Sequence, residues 1–213
     1  MFQKKFLSAI CACMMMFAGL TGCANPAENG TSPATESTAS QSEPAETAQG
    51  VVLPYSEEAQ EQYGLPEEFR MEEMPERIVV MTLGPTEILH ELGVPLLAVP
   101  NTIDESQEWT KDLEAERLPF SANSMDTEGI IAMEPDMIIM SVGKREAYGT
   151  FFEEKGIPVY YTVTSSMDNG AMEDTKEQVE LYGNGFGRVE EMNAILKRFD
   201  ELEASVETWK KEN

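Results

Sequence analysis

Four short runs, Ile78 to Leu83, Leu96 to Val99, Met137 to Met140 and Ile157 to Val163, are apolar almost from end to end. They do not alternate. A strand with one wet face shows every second residue polar, so runs like these read as strands covered on both faces, the condition of a parallel sheet with helices on either side. Longer amphipathic stretches separate them. Thr86 to Leu92 is apolar at 88, 89 and 92 and stops at Gly93; Asp104 to Glu116 carries Trp109 and Leu113 four apart. Both spacings predict helices. Asp126 is placed to cap a helix over Thr127 to Met133, which Pro135 closes, and a further helix ends near Lys155-Gly156. The pattern predicts an α/β, Rossmann-like domain of about 130 residues around a four-stranded parallel core, a size that buries enough surface to fold alone.

The charge excludes several functions. Lys and Arg number 15 against 39 Asp and Glu, a formal net charge of −24 over 213 residues. Such a chain is repelled by nucleic acids and by anionic lipid headgroups. With one His and three Cys, a zinc or iron–sulfur centre lacks ligands, and no metal or cofactor is expected.

The N-terminus supplies an address. Lys4 and Lys5 precede an uncharged stretch from Phe6 to Leu20, too short for a membrane span and suited to an export signal. It ends in Leu20-Thr21-Gly22-Cys23, which resembles the lipobox of bacterial lipoproteins. That resemblance implies removal of residues 1–22 and a diacylglyceryl thioether on Cys23, anchoring the chain outside the cytoplasmic membrane. Removal takes two lysines and no acid, so a charge-repelled protein gains a lipid tether. A single cysteine is then left, and no internal disulfide can form. From Ala24 to Gly50 there is no Val, Ile, Leu, Met or aromatic residue, so residues 23–50 are expected to act as a disordered tether.

In a parallel sheet with helical crossovers, ligands meet the loops at the carboxyl ends of the strands. Those loops are Gly84-Pro85-Thr86-Glu87, Pro100-Asn101-Thr102, Ser141-Val142-Gly143-Lys144 and Thr164-Ser165-Ser166. They offer hydroxyls, amides and backbone N–H groups, and Lys144 with Arg145 adds positive charge. No nucleophile has a base at a recognisable spacing. There is no G-x-S-x-G and no H-E-x-x-H, and Gly143-Lys144 is followed by Arg145 where a phosphate-cradling loop has Ser or Thr. Gly183, Gly185 and Gly187 follow a helix-like stretch, so they read as a turn between helices and not as a dinucleotide loop. Gly84-Pro85-Thr86 serves equally well as a strand-to-helix turn, and His90 reads as a surface residue. No catalytic residue is expected.

The order Pro75-Glu76-Arg77-Ile78-Val79-Val80, then Pro85 to Gly93, then Glu128-Gly129-Ile130-Ile131 through Glu134-Pro135-Asp136, then Gly156-Ile157-Pro158-Val159 resembles the N-terminal lobe of substrate-binding proteins that serve ABC importers of ferric siderophores, haem and cobalamin. The resemblance covers roughly residues 75 to 213. It implies two α/β lobes joined by a long helix, a ligand cleft between them and an ABC permease as partner. Residues 51–187 then correspond to the first lobe. Residues 188–213 correspond to the interlobe helix, with Val189, Met192, Ile195, Leu196, Phe199, Leu202, Val206 and Trp209 near one face. On this reading the second lobe is absent and the chain is truncated; a competing reading makes the helix a dimerisation surface of a complete one-lobe protein. Ligand contacts are expected from the strand-end loops, at Gly84, Pro85, Thr86, Asn101, Thr102, Ser141, Lys144 and Arg145, and the resemblance implies permease docking through Glu128. The alternatives are a surface-anchored flavodoxin-like enzyme and a structural surface lipoprotein.

Overall fold

The computed structural model describes residues 50–118, 125–163 and 171–212. The chain divides into two units, Met1–Ser42 and Glu43–Asn213, and every described residue belongs to the second. The expected signal peptide, Cys23 and the loop at 164–166 lie outside the described residues.

The described chain opens on an antiparallel hairpin that the apolar runs do not announce. Its strands are β1 (Val51–Pro54) and β2 (Glu68–Met71), and between them lies α1 (Glu57–Tyr63), capped by Ser56. Then follow β3 (Ile78–Val80), α2 (Leu83–Glu91), β4 (Leu96–Pro100), β5 (Glu116–Leu118), α3 (Thr127–Ala132), β6 (Met137–Ser141), α4 (Thr150–Glu154) and β7 (Val159–Thr162). Two longer helices, α5 (Ala171–Gly185) and α6 (Val189–Glu212), end it.

The sheet has five strands where the apolar runs predict four, in the order β5-β4-β3-β6-β7, all parallel. Counted from β3 the order is 3-2-1-4-5, the doubly wound Rossmann arrangement and not the 2-1-3-4-5 order of flavodoxin-like sheets. The extra strand, β5, is Glu-Arg-Leu at the sheet edge, where one neighbour and open solvent tolerate charge. The central strands are as dry as their sequences imply: every residue of β3 is fully buried, and Met137 to Met140 are at most 1% exposed.

The helix expected over Asp104 to Glu116 does not form. Asp104 Oδ1 instead accepts from the Ser106 N–H at 3.0 Å, and hydrogen bonds from the Ser106 hydroxyl and this N–H hold the carboxyl below its usual pKa. Short polar side chains that bond their own backbone compete with a helix, and only a 3₁₀ turn at Glu108–Thr110 remains. The first strand also ends earlier than Leu83, because the chain turns at Thr82 and enters α2 at once. Gly93 and Gly156 do close their helices, with φ of 68° and 79°, a conformation costly for any residue with a Cβ. His90 is half-buried, its Nε2 3.1 Å from Asp112 Oδ1, where the polar pattern suggests a surface residue.

The hairpin covers the free edge of β7. Tyr55 stacks on Tyr160 with ring centroids 5.1 Å apart, and its hydroxyl accepts from the Tyr161 N–H at 3.0 Å. One outward donor of an edge strand is thereby satisfied, and burial pushes the Tyr55 phenol up to about 12. Behind it, α5 and α6 form an antiparallel pair. Gly183 lets them meet, since a Cβ there would lie 2.5 Å from Cβ of Met192, and Gly187 at φ 65° turns the chain. The Gly-x-Gly-x-Gly run is thus a helical turn. Lys176 ties the pair through Glu203 at 2.9 Å and Asp200 at 3.3 Å, which raises its pKa. Met192 and Ile195 are buried on α5, whereas Leu202, Val206 and Trp209 are exposed.

The amino end of the sheet is bolted. Asp136, just before β6, accepts from the Glu76 N–H at 2.8 Å and the Arg77 N–H at 3.0 Å, just before β3. Arg77 returns the link: its Nε donates to the Glu134 carbonyl at 2.9 Å and its Nη2 to the Met133 carbonyl. Pro75-Glu76-Arg77 and Glu134-Pro135-Asp136 are therefore the two halves of one clamp across the central strands.

Candidate functional site

From β3 the chain moves outward on one side to β4 and β5, then crosses back to β6 and β7 on the other. The loops leaving β3 and β6 diverge, and this opens a crevice at their carboxyl ends. The topology thus selects two of the expected loops, Thr82–Gly84 and Ser141–Lys144, with Asn101 and Thr102 beside them after β4.

At the first loop, Thr82 is the N-cap of α2, and its side chain makes no capping hydrogen bond. Pro85 has no N–H, so Leu83 and Gly84 carry the orphan backbone donors of that helix end. Both are exposed, and no atom lies within 4 Å of where a Cβ on Gly84 would stand. The Thr82 hydroxyl is shielded from solvent and has no hydrogen-bond partner among the described residues. The helix end gives the loop a partial positive charge that favours acceptor atoms. Thr82 and Leu83 were not among the expected contacts; the signal for them was an N-cap residue directly before Leu-Gly-Pro.

Two expected contacts are corrected. Pro85 and Thr86 lie inside the first turn of α2, both buried, and Thr86 is 0% exposed. Its hydroxyl donates to the Thr82 carbonyl at 2.7 Å, so it positions the N-cap and has no face left for a ligand.

At the second loop, Ser141 stands at the N-cap position of a 3₁₀ turn over Val142–Lys144 without a side-chain capping hydrogen bond. Gly143 is exposed, and a Cβ there would have only Ser141 Oγ near it, at 3.8 Å. Lys144 is half-buried at the turn's end. Arg145 departs from expectation: its Nη1 donates to the Tyr63 carbonyl at 3.0 Å, and its guanidinium lies 5.3 Å from the Tyr161 ring centroid. In this position it braces α1 against β7. Asn101 and Thr102 are exposed at the end of β4, and the Asn101 N–H donates to the Leu118 carbonyl at 3.0 Å.

The start of α3 also reaches this rim. Asp126 caps it as expected, accepting from the Gly129 N–H at 2.9 Å, and Glu128 stands exposed in the first turn. The space under Met125, Asp126 and Ile130 is only about 10 Å³, so this part of the rim is closed. The rim among the described residues is an open wall, not an enclosed cavity. A much larger groove of about 1210 Å³ lies toward the opposite end of the sheet, lined by His90, Leu96, Trp109, Asp112 and Arg198. It shares no residue with the crevice.

No family model matches the chain, and no curated protein matches it. Solved structures do. The chain is similar to the petrobactin-binding protein YclQ of Bacillus subtilis, at 21% identity and TM-score 0.58, over 77% of this chain and 55% of that one. It is similar to the iron uptake ABC transporter substrate-binding protein PiuA of Streptococcus pneumoniae, at 22% identity and TM-score 0.53, over 81% and 56%. It is also similar to the periplasmic catecholate-siderophore binding protein VctP of Vibrio cholerae, at 21% identity and TM-score 0.51, over 68% and 52%. The fold is that of one lobe of a periplasmic-binding protein. The chain spans about half the length of the solved structures it matches. A long helix, α6, does form where one is expected at the end of the chain, and no described helix is long and apolar enough to cross a membrane.

Proposed function

We propose that this chain is the first lobe of an extracytoplasmic solute-binding lipoprotein, anchored through Cys23, that presents a metal complex to an ABC permease. The observation that carries the reading is the switch point between β3 and β6: exposed Leu83 and Gly84 open a helix after β3, and Ser141, Gly143 and Lys144 follow β6, its neighbour in the sheet. Such a rim offers hydrogen bonds and charge but no nucleophile–base pair, which suits capture without chemical change. The ligand class is a ferric siderophore, haem or corrinoid complex. A siderophore is favoured by the neighbours of like fold, whose names include petrobactin binding and catecholate-siderophore binding. The tether keeps the receptor near its permease and raises their effective concentration. Glu128, exposed on the rim, is the docking residue toward basic groups of the permease.

One wall makes few contacts, so binding is weak, and the decisive measurement is where it occurs. The full chain is titrated with a catecholate siderophore loaded with gallium(III) in place of iron, and amide chemical shifts are followed. Saturable shifts concentrated at 82–84, 101–102 and 141–144 are expected. Shifts confined to the groove at His90 and Trp109, or no saturable shift with siderophore, haem or cobalamin, would overturn the reading.

A further inference from the structure

Away from the crevice, a pocket of about 180 Å³ lies between α5 and the turn from β1 into α1. Asp174, Glu177, Gln178 and Leu181 line one side at helical spacing, with Ser56 opposite and Tyr160 also on the wall. Asp174 is 8% exposed, and its Oδ1 has no hydrogen-bond partner among the described residues. A buried polar oxygen without a hydrogen-bond partner is costly, and a donor placed in the pocket would remove that cost. No cation of the described chain does so, because Lys176 on the same helix is committed to Glu203 and Asp200 of α6.

The other polar groups add acceptors. Glu177 brings a second carboxylate, and the Gln178 amide nitrogen donates to the Asp174 carbonyl at 3.3 Å, which leaves its oxygen as an acceptor. Ser56 Oγ already accepts from the Ala59 N–H at 3.2 Å. The volume exceeds the share of one water, about 30 Å³. An apolar wall beside an acceptor cluster fits a donor-rich head on a short hydrocarbon stem.

We propose that this pocket binds an organic cation, a guanidinium or alkylammonium group, with Asp174 as its counter-ion. The site shares no residue with the β3–β6 crevice, so the proposal stands independently of the metal-complex reading.

The test is calorimetric titration of the full chain with agmatine at constant ionic strength, alongside Asp174→Asn and Glu180→Gln, the latter an exposed acid on another face of α5. Saturable binding to the unaltered chain and to Glu180→Gln is expected, with at least tenfold loss in Asp174→Asn. A blocked Gly-Arg-Gly peptide distinguishes the source: equal binding identifies an arginine side chain of a partner, and agmatine alone a free amine. No saturable heat down to an affinity of about 10 mM, or equal affinity in all three proteins, would overturn the assignment. Circular dichroism confirms that Asp174→Asn is folded, and Asp174→Leu supplies a second variant with the charge removed.

Discussion

The two ends of one parallel sheet are built in opposite ways. At the amino end, Asp136 and Arg77 cross-link the chain entering β3 to the chain entering β6, and each bond terminates on backbone. At the carboxyl end, the same two strands run into loops where Leu83 and Gly84 open a helix and the Thr82 hydroxyl has no hydrogen-bond partner among the described residues. The difference assigns labour. Satisfied backbone at one end fixes the spacing of β3 and β6, so polar groups at the other end can stay open without the strands drifting apart. It also explains why several motifs most visible in the sequence lie far from the site. Pro75-Glu76-Arg77 and Glu134-Pro135-Asp136 identify the fold because they close it, at the end of the sheet opposite the loops that leave β3 and β6.

If the division holds, breaking the clamp costs stability and spares the crevice. Asp136→Ala removes the acceptor of two backbone N–H groups, and the loss should be about 2 kcal/mol, below the full value of buried charged bonds because the site is partly wet. Urea unfolding at unchanged slope measures it. Gallium–siderophore shifts at 82–84 should persist in the folded fraction; their disappearance would show that the amino end shapes the ligand directly.

Thr86→Val tests the boundary between the two regimes, since Thr86 sits under the crevice but points into the helix. Losing its bond to the Thr82 carbonyl should cost about 1 kcal/mol, with ligand affinity falling only as far as the N-cap loosens. A large affinity loss with no change in stability would return its hydroxyl to the ligand. Gly84→Ala is the inverse case. An added Cβ meets nothing within 4 Å, so stability should move by no more than ~0.5 kcal/mol, and upward, while the open wall is narrowed and ligand-induced shifts weaken.

What could be read beforehand follows from where each element draws its stability. The strands β3, β4, β6 and β7 are dry by composition, and Asp126, Gly93 and Gly156 act through local geometry, so each was legible from its own few residues. The hairpin was not. Val51–Pro54 and Glu68–Met71 have no long apolar run, and their place depends on Tyr55 reaching a strand 106 positions away. Strand β5 was hidden for the same reason, because Glu116 and Arg117 are tolerable only at an edge. Trp109 and Leu113 suggested a helix that the Asp104–Ser106 turn pre-empted. In the crevice, loop positions could be read from strand ends, but side-chain direction could not. Thr86 and Arg145 both have the right chemistry, and each bonds a carbonyl of its own chain.

The smallest effect on the isolated protein belongs to Glu128. It is exposed in the first turn of α3, whose cap is already supplied by Asp126, so its carboxylate contributes only its interaction with the helix end. Glu128→Gln should therefore lower stability by ~0.3 kcal/mol and leave the crevice shifts intact. Docking to a basic permease surface is a different matter, because a charge that meets its partner at a partly desolvated contact is worth more than one facing water. The exchange should weaken association with permease-containing vesicles several-fold, most clearly at low salt, where screening is least. If vesicle association is unchanged while the helix is intact, Glu128 is a helix-end charge alone and the proposed docking assignment falls.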